Sequence, residues 1–121
     1  YQGPSVDGKN VVLYDDMIDT GGSIISATQA LHNFGAKKVY AVAAHGIFSP
    51  PQVDITAEER LRKAGMQTVV TKTIPRSEQY QQENEDWLTM LPLDELLAKA
   101  VLETSTPGGS ISSLFRKKNT T

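Results

Sequence analysis

The chain has 121 residues, of which 39% are hydrophobic and 21% charged, and it contains no cysteine. Its length suits a single core, so one domain spanning residues 1–121 is expected, and the lack of cysteine excludes disulfide staples, thiolate metal sites and thiol nucleophiles. Twelve Lys and Arg against 14 Asp and Glu give a formal net charge of -2, without the basic excess that nucleic-acid or anionic-membrane binding requires.

The first apolar run, Val11-Val12-Leu13-Tyr14, comes after a turn-forming Asp7-Gly8-Lys9-Asn10 and stops at Asp15-Asp16, which predicts a buried parallel strand. Ile24, Ala27, Thr28, Leu31 and Phe34 then recur at helical spacing, with Ser23 near the start and Gly35 just past the end, so a helix is expected there. Val39 to Ala44 is again continuously apolar and ends in His45-Gly46, a second strand of the buried type. Thr56-Ala57-Glu58-Glu59 is a capping-box pattern that opens a helix closed by Gly65, and Thr68 to Thr71 makes a third strand. Arg76 to Asp86, RSEQYQQENED, is polar enough to read as a solvated loop. Trp87 to Leu91 suits one more short strand, with a helix after it from about Leu93 to Glu103 whose apolar stripe is Leu93, Leu96, Leu97, Ala100 and Val101. Residues 104–121 read as a loop, with Pro107-Gly108-Gly109, and a basic, polar tail. Nowhere does an apolar run approach the roughly 20 residues of a membrane span, and the opening YQGPSVDGKN has no signal-peptide pattern. A cytoplasmic protein with no nucleic-acid and no membrane partner is therefore expected.

Strands alternating with helices at this spacing are βαβ units, whose right-handed crossovers build a parallel sheet flanked by helices. The fold class is α/β. In such a sheet the residues just past each strand gather along one edge, where ligands bind. Asp15, Asp16, His45 and the Thr71–Pro75 turn are expected to share that edge.

One segment there carries most of the chemistry. Asp15-Asp16-Met17-Ile18-Asp19-Thr20-Gly21-Gly22-Ser23 joins carboxylates at a strand end to a Gly-Gly-hydroxyl turn at a helix start. Glycines allow close backbone approach, free amides and the helix dipole favour an anion, and Thr20 and Ser23 add hydroxyl donors, as a phosphate monoester would need. Asp15 and Asp16 are acceptor-only groups suited to vicinal ribose hydroxyls or to a Mg²⁺ ion. Because they are adjacent on a strand they point oppositely, so one of them can instead orient the loop. The turn is neither a P-loop nor a G-x-G-x-x-G dinucleotide turn.

VVLYDDMIDTGGS resembles the phosphoribosyl-pyrophosphate (PRPP) motif shared by type I phosphoribosyltransferases and the PRPP synthetases, or ribose-phosphate pyrophosphokinases. Downstream of the motif, GAKKVYAVAAHGIFS, the VVTKTIP turn and the terminal SISSLF are similar in the same order to the carboxyl-terminal domain of the synthetases. Ser23 stands where the motif usually has Thr, Ala44 where Thr usually precedes His-Gly, and Pro50 where Gly usually comes after Phe-Ser. The likeness begins past the first strand and helix of that phosphoribosyltransferase-like domain, which predicts an exposed sheet edge.

The resemblance implies transfer of the pyrophosphoryl group of ATP to ribose 5-phosphate, giving PRPP and AMP, with Mg²⁺ as cofactor and most of the ATP site on segments this chain does not contain. It implies that Asp15, Asp16, Asp19, Thr20, Gly21, Gly22 and Ser23 bind ribose 5-phosphate, that Asp15 and Asp16 also serve the metal, and that no catalytic base is required. Ser110, Ser112 and Ser113 would correspond to a regulatory phosphate site, against the simpler reading that Leu114 and Phe115 dock the tail. A homo-oligomer of dimers building hexamers is implied as well. His45 is the single His near the expected edge, where a structural role is ordinary, and His32 lies inside a predicted helix. Two other functions fit the motif: a phosphoribosyltransferase consuming PRPP, and a non-catalytic partner that regulates a PRPP synthetase.

Overall fold

The computed structural model describes residues 3–51, 55–105 and 107–109. Along them strands and helices alternate as the βαβ pattern predicts: β1 (Asn10–Ile18), α1 (Gly22–Asn33), β2 (Lys38–Gly46), α2 (Ala57–Lys63), β3 (Gln67–Thr71), α3 (Glu78–Glu83), β4 (Leu88–Leu91) and α4 (Asp94–Ser105). They divide into two compact units, Tyr1–Leu91 and Pro92–Thr121.

In the first unit a four-stranded sheet runs in the order β1-β2-β3-β4, every neighbouring pair parallel. Successive right-handed crossovers in a sequential order place their helices on one side of a sheet, and the register explains how they pack. Leu13 aligns with Ala41, Ala41 with Thr68 and Thr68 with Leu88, so side chains of one parity line one face. Ala41 and Ala43 are almost fully buried there, and their small size lets Ile24 of α1 and Ala57 and Leu61 of α2 close onto the sheet. Trp87, Phe48, Met66 and Val70 complete this core, and Tyr80 of α3 packs against it. A smaller cluster of Val6, Leu31, Ala36 and Val39 fills the space under the end of α1.

The helices close as their sequences predict. Past α1, the Gly35 N–H donates to His32 O and the Ala36 N–H to Leu31 O; past α2, the Gly65 and Met66 N–H groups donate to Arg62 O and Leu61 O. Both ends are Schellman closures around a glycine. At the front of α2 the Thr56 hydroxyl accepts from the Glu59 N–H at 3.1 Å, the predicted cap.

Four expectations are corrected. The Val11–Tyr14 run is an edge strand and is not buried: Val12 and Tyr14 are 60% and 73% exposed, on the face opposite α1 and α2. Nor do Asp15-Asp16 end that strand, which continues to Ile18; at an edge their carboxylates reach water, so the strand can continue without desolvating them. Arg76–Asp86 is not a loop: α3 lies within it, capped by the Ser77 hydroxyl, which accepts from the Tyr80 N–H at 3.0 Å. In the second unit α4 runs to Ser105, past the predicted end at Glu103, and bears an i,i+4 ion pair between Glu95 and Lys99 at 2.9 Å. Ser110, Ser112 and Ser113 lie outside the described residues.

Candidate functional site

The turn Asp19–Gly21 links β1 to α1, and its shape arises from its glycines. Gly21 caps α1 with φ at 82°, a left-handed conformation that glycine adopts without a Cβ penalty. A Cβ at Gly21 would also come within 3.0 Å of the Leu61 side chain, so the turn lies directly on α2. The first N–H groups of a helix have no partner within it. Thr56 and Ser77 satisfy one such group on α2 and α3, but among the described residues no side chain caps α1 and no acidic residue stands in its first turn. The N-terminus of α1 therefore presents donors and a partial positive charge to the space in front of it.

That space is a cavity of about 190 Å³ lined by Asp15, Met17, Ile18, Asp19, Thr20, Gly21, Gly22, Ser23 and Ile24. The fold thus gathers all the site residues expected from this segment except Asp16, which does not line the cavity and whose backbone N–H donates to Asp15 Oδ1 at 2.7 Å. A second cavity, of about 350 Å³, shares Asp19 and Thr20 and is lined further by Ser49, Pro50, Pro51 and Arg60.

Contacts distant in sequence hold the turn. The Ser49 N–H donates to Asp19 Oδ1 at 2.9 Å. The Ser49 hydroxyl and then its backbone N–H hold the Asp19 carboxyl below its ordinary 3.8, against the opposing effect of desolvation. Ser49 is aimed by its neighbour: Phe48 is 5% exposed, with φ at 46°, a conformation costly for a bulky residue and sustained here by packing. Its ring meets Trp87 edge-on at 5.8 Å, and a Cβ on Gly46 would fall 2.6 Å from it. Arg76 fixes the same bend, donating from Nη2 to Gly46 O at 3.0 Å and Ile47 O at 2.7 Å while its guanidinium lies over the Tyr80 ring at 4.9 Å. Across the turn, Arg60 Nη1 donates to Thr20 O at 3.4 Å. No local signal in the sequence marks Ser49, Arg60 or Arg76, because each acts on a residue about thirty or forty positions away.

The expected meeting of His45 with the Thr71–Pro75 turn is present: His45 Nδ1 and Thr73 Oγ1 are 2.7 Å apart, and the Thr71 hydroxyl donates to Ala44 O. The β2–β3 register shifts between Ala43 and His45. His45 lines neither cavity.

The described residues include no group of three or more His, Cys, Asp or Glu able to hold a metal ion. Asp15 alone of the acidic pair enters the cavity, so the donors fit Mg²⁺ in the manner usual for that ion, with one or two carboxylates completed by water and substrate oxygens. Donor N–H groups of the helix start and the Asp15 carboxylate line one cavity, a combination that suits an anion joined to a polyol.

Known proteins place the same pattern in context. The family model of the phosphoribosyl synthetase-associated domain matches residues 3–116. The chain is 43% identical over 113 residues to the ribose-phosphate pyrophosphokinase of Corynebacterium glutamicum, covering 91% of this chain and 31% of that protein. It is 40% identical over 111 residues to the enzyme of that name from Mycobacterium leprae, with 91% and 31% covered. Among solved structures, the phosphoribosylpyrophosphate synthetase of Mycobacterium smegmatis superposes with a TM-score of 0.69 at 38% identity, over 84% of this chain and 32% of that one. The chain therefore spans about a third of the length of the relatives it matches.

Proposed function

Because the chain belongs to the phosphoribosyl synthetase-associated domain family, we propose that it supplies the ribose 5-phosphate and PRPP site of a ribose-phosphate pyrophosphokinase. The reaction is attack of the anomeric hydroxyl of ribose 5-phosphate on the β-phosphorus of ATP. An O1–Pβ bond forms, the bond from Pβ to the oxygen bridging it to the α-phosphorus breaks, AMP departs, and the hydroxyl proton passes to solvent. Such chemistry rests on positioning and charge neutralisation more than on covalent catalysis, so no side chain of this chain is assigned as a catalytic base.

The 5-phosphate sits against the uncapped start of α1, taking N–H groups of Gly21, Gly22 and Ser23 and the Thr20 and Ser23 hydroxyls. Asp19, fixed by Ser49, sets the mouth of that turn. Asp15 accepts from the ribose hydroxyls inside the cavity, and Asp16, beside it on β1, shares with Asp15 the binding of sugar and Mg²⁺. When bound, the ion supplies charge neutralisation for the transferred phosphates. ATP itself requires residues beyond those described. On this reading the protein acts in the cytoplasm as part of a homo-oligomer. Its described helices include none long and apolar enough to cross a membrane.

One observation carries this reading: the uncapped α1 turn and Asp15 line the same cavity, in a chain whose relatives bear that enzyme name. The test is AMP release from ATP in the presence of ribose 5-phosphate, with this segment joined to the ATP-binding part of such an enzyme. Asp15→Asn should lower turnover by about 10- to 100-fold, the range for loss of a metal-organising group. Turnover equal to the unsubstituted enzyme would refute the role of Asp15, and pyrophosphate release dependent on an added base would favour a phosphoribosyltransferase.

A further inference from the structure

The phosphate turn carries a charge problem that its own residues do not solve. Asp15 and Asp19 both line the cavity, and the Ser49 hydrogen bonds hold Asp19 ionised. The helix start offers only about half a positive charge, so the segment that is to receive a phosphate dianion is net negative. Mg²⁺ held by Asp15 and Asp16 would offset charge at that part of the site, but the Asp19–Ser23 turn that is to take the phosphate contains no cation of its own.

Arg60 stands beside that turn. Its Nη1 lies 3.4 Å from the Thr20 carbonyl oxygen and 3.7 Å from the point a Cβ on Gly22 would occupy, so the guanidinium lies against the turn, and Arg60 lines the second cavity with Asp19 and Thr20. Among the described residues it has no ion-pair partner. Its helical neighbour Arg62 is committed elsewhere, to Asp86, the Glu83 carbonyl and Asn84. The adjacent Leu61 packs beneath Gly21, so two consecutive residues of α2 grip two consecutive residues of the turn.

We propose that Arg60 is the charge-balancing positioning residue of the phosphate turn. It holds the Thr20 carbonyl oxygen and sets a full positive charge behind the amides that face the anion. The inference rests on the sugar-phosphate reading of the site and adds to it a residue from another element.

The test is calorimetric binding of ribose 5-phosphate to the wild-type protein, Arg60→Lys, Arg60→Gln and Arg60→Met across a series of NaCl concentrations, with thermal melts alongside. Partly exposed charges are screened within about 10 Å at 0.1 M salt, so the sign of the salt effect reports which charge dominates. Wild type should weaken as salt rises, and Arg60→Lys should stay within about threefold of it, because the charge remains at a similar distance. Arg60→Gln, which removes the charge and keeps a polar side chain, should bind about tenfold more weakly and lose or reverse the salt dependence, as the negative carboxylates then dominate. Arg60→Met keeps the apolar stem and should match Arg60→Gln, which protects the comparison if either variant fails to fold. Gln and Met variants binding like wild type, or Lys losing as much as Gln with unchanged salt dependence, would overturn the proposal by reducing Arg60 to a packing or hydrogen-bonding role. Absence of saturable binding by wild type would instead overturn the sugar-phosphate reading, and the role of Arg60 with it.

Discussion

Asp19 and Ser49 show how a single contact ties the turn to the rest of the fold. Asp19 is fully exposed, so solvent screens its charge, yet two hydrogen bonds from Ser49 favour its ionised form. A carboxyl whose folded value is depressed stabilises the fold above its unfolded value, and that contribution is lost as pH falls through the folded one. The window therefore lies below 3.8. Tracking the Ser49 amide resonance through an acid titration should give a midpoint below 3.8, and Asp19→Asn should abolish the transition; a midpoint at or above 3.8 would mean that the contact does not persist in solution. At this scale the sequence is legible where chemistry is contiguous: Asp15 and Asp19–Ser23 can be read as a unit because one strand and the start of the next helix deliver them together. Ser49, Arg60 and Arg76 cannot, since each is brought to its partner by the βαβ crossovers and carries no pattern of its own.

Among the elements, α3 departs most from its sequence. Eleven polar-rich positions, RSEQYQQENED, suggest solvent on all sides, but hydropathy does not register a polar residue whose hydrogen bonds are all satisfied. Asn84 is only 5% exposed. Its Oδ1 accepts from Arg62 Nη2 at 2.9 Å and from Trp87 Nε1 at 3.0 Å, and its Nδ2 donates to Tyr80 O at 2.8 Å. One side chain thus joins α2, α3 and the start of β4. Asn84→Ala removes the acceptor of a buried indole, a loss that costs about 2 kcal/mol, and chemical denaturation should show that drop. A change below about 0.5 kcal/mol, the range of ordinary surface substitutions, would show that the network is not formed. The helices α1 and α2 are easier to read, because their glycine closures and the Thr56 cap are local devices written in adjacent residues.

For the molecule as a whole, the sequential strand order explains what periodicity alone misjudges. Continuous apolar runs are shared by central strands and by an edge strand, so Val11–Tyr14 resembles Val39–Ala44, and only the topology separates them. The consequence is an asymmetric sensitivity to substitution. Tyr14→Lys, at a position 73% exposed, should alter stability by less than about 0.5 kcal/mol. Leu61→Ala, at a fully buried position beneath the Asp19–Gly21 turn, should cost about 3 kcal/mol. Equal costs in a denaturation series would contradict the placement of β1 at the edge.

The central claim is that the Asp19–Ser23 turn receives the phosphate of ribose 5-phosphate. An amide NMR titration with that sugar phosphate, with and without Mg²⁺, tests it most directly. The account predicts saturable shifts centred on Gly21, Gly22 and Ser23, with smaller ones at Asp15. A folded spectrum in which those amides stay unmoved while the ligand reaches millimolar concentration would contradict it.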